Sequence, residues 1–379
     1  MDYFLNEQQQ VICDLAHRIA EEKIAPVSAD YDESGDFPWD IMNILAQTDM
    51  FRVFIPEKYD GLGGGIFEMS LVTEELSKAC GGIALGYAGT GLGTMPIILF
   101  GNKQQKEKYL TRVAEGTIAA FALTESEAGS DASNMQTTAE KDGDYYILNG
   151  VKQWITNGGE ADIYSVIAMT DKTRGSRGAT AFIVEKDNPG LTFGVKEDKL
   201  GIRGSTTSEL IFEDCRVHKD NLLGRPGMGY IIALKTLDRT RPGVAAQAVG
   251  IAQGAIDECL QYTRERKQFG KPISRFQAIR HKLADMEMKT EAARSLVYNT
   301  ARMIDSGTKD ITKESAMCKC FASDVAMEVT TEAVQIFGGY GYMKDYPVEK
   351  KMRDAKVTQI YEGTNEIQRN VIASKLWDK

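Results

Sequence analysis

The segment 145–169, YYILNGVKQWITNGGEADIYSVIAM, indicates the fold class because the apolar periodicity of the chain changes here. Short apolar and β-branched runs, such as Tyr145–Leu148 and Ile163–Met169, are separated by turn signals such as Asn149-Gly150. Similar runs recur up to Glu209–Phe212, and no helical pattern lies between them. Several short strands without intervening helices indicate an antiparallel barrel or sandwich over residues 118–225.

Both flanks of this region have helical periodicity instead. Within residues 1–117, apolar residues recur three and four positions apart, beginning with the run from Leu5 to Ile19. Residues 226–379 contain the longer patterns Val244–Arg266, Phe276–Arg302 and Lys313–Phe337, joined by short loops. The predicted fold class is therefore α+β, with an N-terminal α-helical domain, a middle antiparallel β-barrel or sandwich domain and a C-terminal four-helix bundle.

Composition excludes several classes of function. The chain has 379 residues and a net charge of −9, and nucleic-acid binding requires a basic surface instead. The longest apolar runs, such as Met95–Phe100, are too short for a membrane span. Three scattered histidines and six cysteines without a C-x-x-C pair predict no metal site. Because the start of the chain lacks the features of a signal peptide, we expect a cytoplasmic protein.

The sequence contains neither a G-x-G-x-x-G motif nor a phosphate-binding P-loop, so a large cofactor must be held by scattered segments. In the segment 360–366, IYEGTNE, the carboxylate of Glu362 lies between apolar and aromatic neighbours and precedes Gly363. This pattern marks a candidate buried acid with a raised pKa. A helix-terminal glutamate in a loop is the alternative, and these residues alone do not separate the two.

Three further segments allow two interpretations each. The basic segment 264–272 could grip a pyrophosphate or could complement a helix dipole. The polar loop 123–131 could contact a cofactor or could form ordinary turns. The segment 335–342 is typical of a helix that ends in a glycine cap, and its small residues would also allow a ligand to approach.

Taken together, these segments resemble the acyl-CoA dehydrogenase family, most closely its short- and medium-chain branch with the butyryl-CoA type. The resemblance covers essentially the whole chain. It includes six motifs in family order, at residues 123–131, 154–157, 238–242, 266–270, 335–339 and 361–364. It implies the three-domain fold, FAD as cofactor, an acyl-CoA or enoyl-CoA substrate, an electron-transfer flavoprotein as partner, and a homotetramer.

The resemblance also implies roles for individual residues, with Glu362 as the catalytic base. Thr240 occupies the position that supplies the base in some branches and cannot serve as one. The segment from Arg266 to Phe269 is implied to reach the FAD of a neighbouring subunit. Residues implied to bind FAD are Phe121, Leu123, Thr124, Ser130, Trp154, Thr156, Arg266, Gln268, Phe269, Gln277, Gln335, Gly339, Thr364 and Glu366. Residues implied to bind substrate are Ser130, Asp238, Arg241, Tyr361 and Gly363.

Two positions depart from the family pattern. Ser126 stands where many members have proline, and Glu366 stands where relatives often have glutamine. A serine would loosen the loop that carries Thr124, and a charge at position 366 would alter the contact on the adenosine side of the cofactor.

The activity implied by the resemblance is α,β-dehydrogenation of an acyl-CoA thioester, with electrons passed to an electron-transfer flavoprotein. The same base and cofactor serve the reverse reaction, so an enoyl-CoA reductase is the main alternative. An oxidase that uses O₂ and a non-catalytic helical interaction protein are weaker alternatives. The small-residue run Gly81–Gly93 could widen the acyl pocket or could pack helices tightly, and both remain open.

Overall fold

The computed structural model describes residues 3–377 and confirms the predicted order of a helical, a β-rich and a second helical region. The helices are α1 Glu7–Ile19, α2 Ser28–Ser34, α3 Trp39–Gln47, α4 Ile66–Ala79, α5 Gly81–Phe100, α6 Lys103–Ala114, α7 Gly229–Glu265, α8 Gln277–Asp305, α9 Thr312–Phe337, α10 Val348–Thr358 and α11 Asn365–Ser374. The strands are β1 Ala119–Ala122, β2 Thr138–Asp142, β3 Tyr145–Thr156, β4 Ile163–Met169, β5 Ala179–Glu185, β6 Leu191–Phe193, β7 Thr207–His218, β8 Leu222–Leu223, β9 Lys267–Gln268 and β10 Lys271–Pro272.

Eight strands form one mixed sheet in the order β6-β7-β3-β2-β4-β5-β8, with β1 paired to β4. Most neighbours are antiparallel, as predicted. The exceptions are β1, which runs parallel to β4, and a single parallel pair between β2 and β4. Strand β1 was not predicted, because its sequence AAFA is short, contains three alanines and shows no alternation of apolar and polar residues.

The long helix α7 lies at the centre of the helical core and packs against α8, α9 and α10 and against α4 of the N-terminal region. Its glycines allow a close approach to α4. A Cβ atom at Gly250 would lie 2.3 Å from the carbonyl oxygen of Glu74, and one at Gly254 would lie 2.1 Å from that of Lys78. The alanine- and glycine-rich sequence of α7 is therefore a consequence of helix contact at short range.

Helix α5 is long and apolar enough to cross a membrane by length and composition, but 72% of its most apolar window is buried inside the protein, as in the core helix of a soluble protein. Its small residues pack closely, since a Cβ atom at Gly93 would lie 2.4 Å from the backbone nitrogen of Ala120. Tight packing thus explains part of the small-residue run. Other residues of the same run, including Ala88 and Gly89, line a cavity.

Candidate active site

A cavity of about 330 Å³ lies where α4, α5, β1, the end of β3, α7, α11 and the loop before α11 meet. Its apolar wall is formed by Met69, Leu85, Ala88, Leu92, Tyr230, Leu234, Leu237, Val244, Ile367 and Val371. The structure brings ten of the predicted site residues to this cavity: Phe121, Leu123, Thr124, Ser130, Trp154, Thr156, Arg241, Tyr361, Glu362 and Gly363.

Glu362 is the acidic residue of this cavity. Its backbone is in the left-handed region with φ of 51°, and its Oε2 atom accepts a hydrogen bond of 2.8 Å from the hydroxyl group of Thr240 on α7. Burial raises the pKa of Glu362 to about 7, while the Thr240 bond and the positive charges of Arg241 and Lys319 act in the opposite direction. A carboxyl group with this pKa exchanges its proton near neutral pH.

The backbone carbonyls around Glu362 are held by donors from three helices. Arg241 Nε on α7 lies 3.3 Å from the carbonyl oxygen of Glu362, and Gln368 Nε2 on α11 donates to the carbonyls of Glu362 and Gly363 at 3.2 and 2.9 Å. Lys319 Nζ on α9 donates to the carbonyl of Gly363 at 2.9 Å. Both carbonyl groups are therefore engaged by side-chain donors of the surrounding helices.

Two further contacts fix the same loop to distant parts of the chain. The hydroxyl group of Tyr361 donates to Oε1 of Gln247, whose Nε2 donates to the carbonyl of Gly81 at 2.8 Å. Asp238 does not line the cavity, but its carboxylate pairs with Arg241 at 3.1 Å and accepts from Thr312 at 2.8 Å. Asp238 thus orients Arg241, which does line the cavity.

The opposite side of the cavity is organised by a buried ion pair. Lys152 on β3 is fully buried and donates to Oε1 of Glu125 at 2.7 Å and to the carbonyl of Leu123 at 2.9 Å. Glu125 also accepts from the backbone N–H groups of Gln136 and Thr137. Because a buried charge without its partner is costly, this pair fixes the loop after β1 against β3.

Trp154 is directed into the cavity by an irregularity of β3. The register between β3 and β7 shifts between Lys152 and Ile155, and Trp154 has a left-handed φ of 55°. Trp154 is 55% exposed, although Lys152 and Ile155 of the same strand are buried. An aromatic face thus lies open beside the hydroxyl groups of Thr124 and Thr156, which line the same cavity.

The remaining predicted residues lie elsewhere on this chain. Arg266, Gln268, Phe269 and Gly339 line a second, more open groove of about 760 Å³, where Phe269 is 92% exposed and Arg266 lies over the ring of Tyr340. Residues that line neither space are Gln277, Gln335, Thr364 and Glu366.

Several polar residues that contact this site were not predicted: Thr240 as a hydrogen-bond donor, and also Lys152, Gln247, Lys319 and Gln368. Gln247 lies at the centre of α7 and Lys319 lies in the first third of α9, each among buried small and apolar residues. A lone polar residue on a buried helical face was the available signal, because burial without a partner is unfavourable.

Comparison with known proteins matches three family models over nearly the whole chain. The acyl-CoA dehydrogenase N-terminal domain matches residues 6–117, the middle domain residues 120–215 and the C-terminal domain residues 227–377.

Similar proteins and structures agree with these matches. The solved butyryl-CoA dehydrogenase of Megasphaera elsdenii is 49% identical, with a TM-score of 0.96 over 99% of this chain and 100% of that one. A chain of the solved structure described as the electron transferring flavoprotein of Acidaminococcus fermentans is 50% identical, with a TM-score of 0.98 over 100% of both chains. The 3-(aryl)acrylate reductase of Clostridium sporogenes is 47% identical, over 98% of this chain and 99% of that protein.

Proposed function

The chain belongs to the acyl-CoA dehydrogenase family, and from that premise we propose that Glu362 is the base of its FAD-dependent α,β-dehydrogenation of an acyl-CoA thioester. The observation that supports this assignment is the position of the Glu362 carboxylate, half-buried in an apolar cavity with a pKa raised to about 7. A base of this strength is half deprotonated at neutral pH and can both take and release a proton.

Glu362 removes the α-proton of the thioester with its Oε1 atom, since Oε2 accepts the Thr240 hydroxyl. The negative charge that develops on the thioester oxygen requires hydrogen-bond donors. Among the hydrogen bonds of residues 3–377, the carbonyls of Glu362 and Gly363 are engaged, whereas the N–H of Glu362 has no acceptor within the chain. We assign this N–H as one donor to the thioester oxygen, in a cavity with a largely apolar wall.

FAD is the cofactor of the family, and the residues of this chain fit it. The open aromatic face of Trp154 with the hydroxyl groups of Thr124 and Thr156 suits a flat heteroaromatic ring with a polar edge. When bound, FAD supplies the acceptor for the hydride that leaves Cβ. Arg266, in the second groove, offers a forked cation for a pyrophosphate.

We propose the remaining contacts on the same basis. Phe121, Leu123 and Ser130 lie beside the flavin region of the cavity, and Ser130, Asp238, Arg241, Tyr361 and Gly363 serve the substrate. The exposed residues Gln268, Phe269, Gln277, Gln335, Gly339 and Glu366, together with the half-buried Thr364, complete FAD binding between subunits of a homotetramer. The exposure of the first six on the single chain supports this arrangement, because a partner subunit would cover them.

Replacement of Glu362 by glutamine tests the base assignment. Glu362→Gln keeps the size of the side chain and replaces the carboxylate by an amide that can form hydrogen bonds but cannot accept the α-proton. We therefore expect FAD and acyl-CoA binding to be retained and turnover to fall by about 10³-fold or more. The control is Glu140→Gln, at an exposed position of β2 away from the cavity, assayed for the same turnover and flavin content. Near-wild-type turnover of the Glu362 variant would refute the assignment.

The physiological direction and the acyl group are separate questions. The similarity to the 3-(aryl)acrylate reductase supports reduction of an enoyl-CoA as the second candidate function, and the butyryl-CoA dehydrogenase supports oxidation of a short acyl group. A panel of CoA thioesters decides between the two candidate functions. Acyl-CoA thioesters are tested for bleaching of the oxidised flavin, and enoyl-CoA thioesters are tested for reoxidation of the reduced flavin. Higher kcat/KM for an aryl enoyl-CoA than for butyryl-CoA would favour the reductase.

Electrons are exchanged with an electron-transfer flavoprotein, which is supported by the similarity to a chain in the Acidaminococcus electron transferring flavoprotein structure. Turnover measured with and without added electron-transfer flavoprotein tests this partner, and we expect turnover to depend on it. Equal turnover with O₂ alone would instead indicate an oxidase.

We propose a cytoplasmic location, which fits a dehydrogenase that meets soluble CoA thioesters.

A further inference from the structure

Lys319 is a buried cation that the proposed mechanism does not use. It lies in the first third of α9 between the buried residues Cys318 and Cys320, and its side chain is fully buried. An ammonium group in such a position requires strong acceptors or a negative charge close by. The hydrogen-bond acceptors of Lys319 therefore identify the part of the structure that it stabilises.

The acceptors of Lys319 belong to the loop that contains Glu362. Nζ donates to the carbonyl of Gly363 at 2.9 Å and to Oδ1 of Asn365 at 3.0 Å. Asn365 is itself fixed, because its Nδ2 donates to Ser323 at 2.9 Å and to Asp324 at 2.8 Å. Neither acceptor is a carboxylate, so the charge of Lys319 is not neutralised by its own hydrogen bonds.

The charges that act on Lys319 connect it to the base. Burial lowers the pKa of Lys319 to about 8, and the negative charge of Glu362 opposes this shift. The other charged or titratable groups around it are Cys320 and Asp324 on α9 and Arg241 on α7. Reciprocally, the charge of Lys319 lowers the pKa of Glu362.

The backbone that Lys319 holds has an unfavourable conformation. Glu362 has φ of 51°, a left-handed conformation that is unfavourable for a residue other than glycine. Gly363 follows with φ of 96°. Such a loop persists only when surrounding contacts determine it, and the Lys319 bond to the Gly363 carbonyl is one of those contacts.

From these contacts we propose that Lys319 is a positioning residue for the base. By donating to the Gly363 carbonyl, its ammonium group holds Glu362 in the left-handed conformation and places a positive charge behind the carboxylate. The proposal rests on Glu362 being the base. Lys319 would not touch the thioester, and its effect on the reaction would pass through Glu362.

Two substitutions at Lys319 separate the effect of its hydrogen bond to the Gly363 carbonyl from the effect of its positive charge. Lys319→Met removes charge and donor, so we expect kcat to fall by about tenfold or more with a smaller change in KM, because a displaced base is poorly aligned. Loss of a nearby positive charge destabilises the carboxylate anion, so the apparent pKa of kcat/KM should rise by about one unit. Lys319→Gln keeps a donor for Gly363, and it should recover much of kcat while the apparent pKa stays raised.

The matched control is Lys313→Met near the start of the same helix, where the lysine side chain is 38% exposed and pairs with Glu314. It should match wild type in rate and pH profile. Flavin content and thermal unfolding are measured for every variant. Lys319 variants that fold, bind FAD and show wild-type rates and apparent pKa would overturn the proposal, and so would failure of both variants to fold. An inactive wild-type enzyme would instead refute the proposed function.

Discussion

The hydroxyl group of Thr240 donates a hydrogen bond of 2.8 Å to Oε2 of Glu362, although the two residues lie 122 positions apart in the chain. The bond stabilises the carboxylate anion, as do the charges of Arg241 and Lys319, whereas burial favours the protonated acid. These opposing effects leave the pKa of Glu362 at about 7. Thr240 therefore tunes the base although it cannot act as one.

Removal of the Thr240 hydroxyl should make Glu362 harder to ionise. In Thr240→Val the anion loses one hydrogen bond, so we expect the pH profile of kcat/KM to shift to higher pH by about 0.5–1 unit. At pH 7 the rate should fall severalfold and recover near pH 9. Thr240→Ser, which restores the hydroxyl, serves as the control. An unshifted profile for the valine variant would mean that the hydrogen bond does not affect the base.

Burial of the Glu362 carboxylate should reduce stability at high pH. Its pKa in the folded protein, about 7, is above the ordinary value of 4.5, so the folded state binds more protons between those values. Stability is therefore lost as pH rises from about 4.5 to 7, and the loss is complete above pH 7. Relative to wild type, Glu362→Gln should be more stable by about 1–3 kcal/mol at pH 8, and the gain should shrink below pH 5. Chemical denaturation at the two pH values measures this difference, and a gain that did not depend on pH would contradict it.

The ion pair between Lys152 and Glu125 should be essential to the loop on the cofactor side. Lys152→Met leaves the Glu125 carboxylate buried without its cation, and we expect a loss of about 3–5 kcal/mol in the free energy of unfolding together with weaker FAD binding. The double variant Lys152→Met/Glu125→Gln removes both charges and should lose less than the single variant. Denaturant titration measures both, and a double variant that lost the sum of two single losses would contradict the argument.

The small residues of α5 should separate into two classes. Gly93 approaches the backbone of β1, where a Cβ atom would lie 2.4 Å from Ala120 N, so Gly93→Ala should cost about 1–3 kcal/mol of stability. Ala88 lines the cavity instead, and Ala88→Leu should raise KM for bulky acyl groups more than for butyryl-CoA. Thermal unfolding and the thioester panel measure the two effects. Equal losses of stability in both variants would show that tight packing alone explains the small-residue run Gly81–Gly93.

The local spacing of apolar residues predicted the fold because helices such as α8 and α9 are long and strongly periodic. Helices such as α8 and α9 were predicted from apolar spacing to within a few residues of their ends. Strand β1 was missed, since its four residues AAFA show no alternation of apolar and polar side chains, and its parallel pairing to β4 depends on contacts 44 residues away in sequence. A short strand of this kind is visible only once the sheet around it is known.

The base itself was assigned through motif resemblance, and its partners were not predicted. Thr240, Lys319 and Gln368 lie on α7, α9 and α11, and each meets the Glu362 loop only in the folded chain. No local spacing relates these helices to one another. From the sequence, Lys319 is recognisable as an unusual residue on an apolar helical face. Its acceptor, the Gly363 carbonyl, can be identified only in the structure.

Glu362 as the base is best tested by single-turnover reduction of the enzyme-bound flavin by a saturated acyl-CoA, followed anaerobically from pH 5 to 9. The rate should rise with pH through an apparent pKa of about 7 in wild type and should fall by about 10³-fold or more in Glu362→Gln. A rate independent of pH in this range, or rapid reduction of the Glu362→Gln flavin, would contradict it.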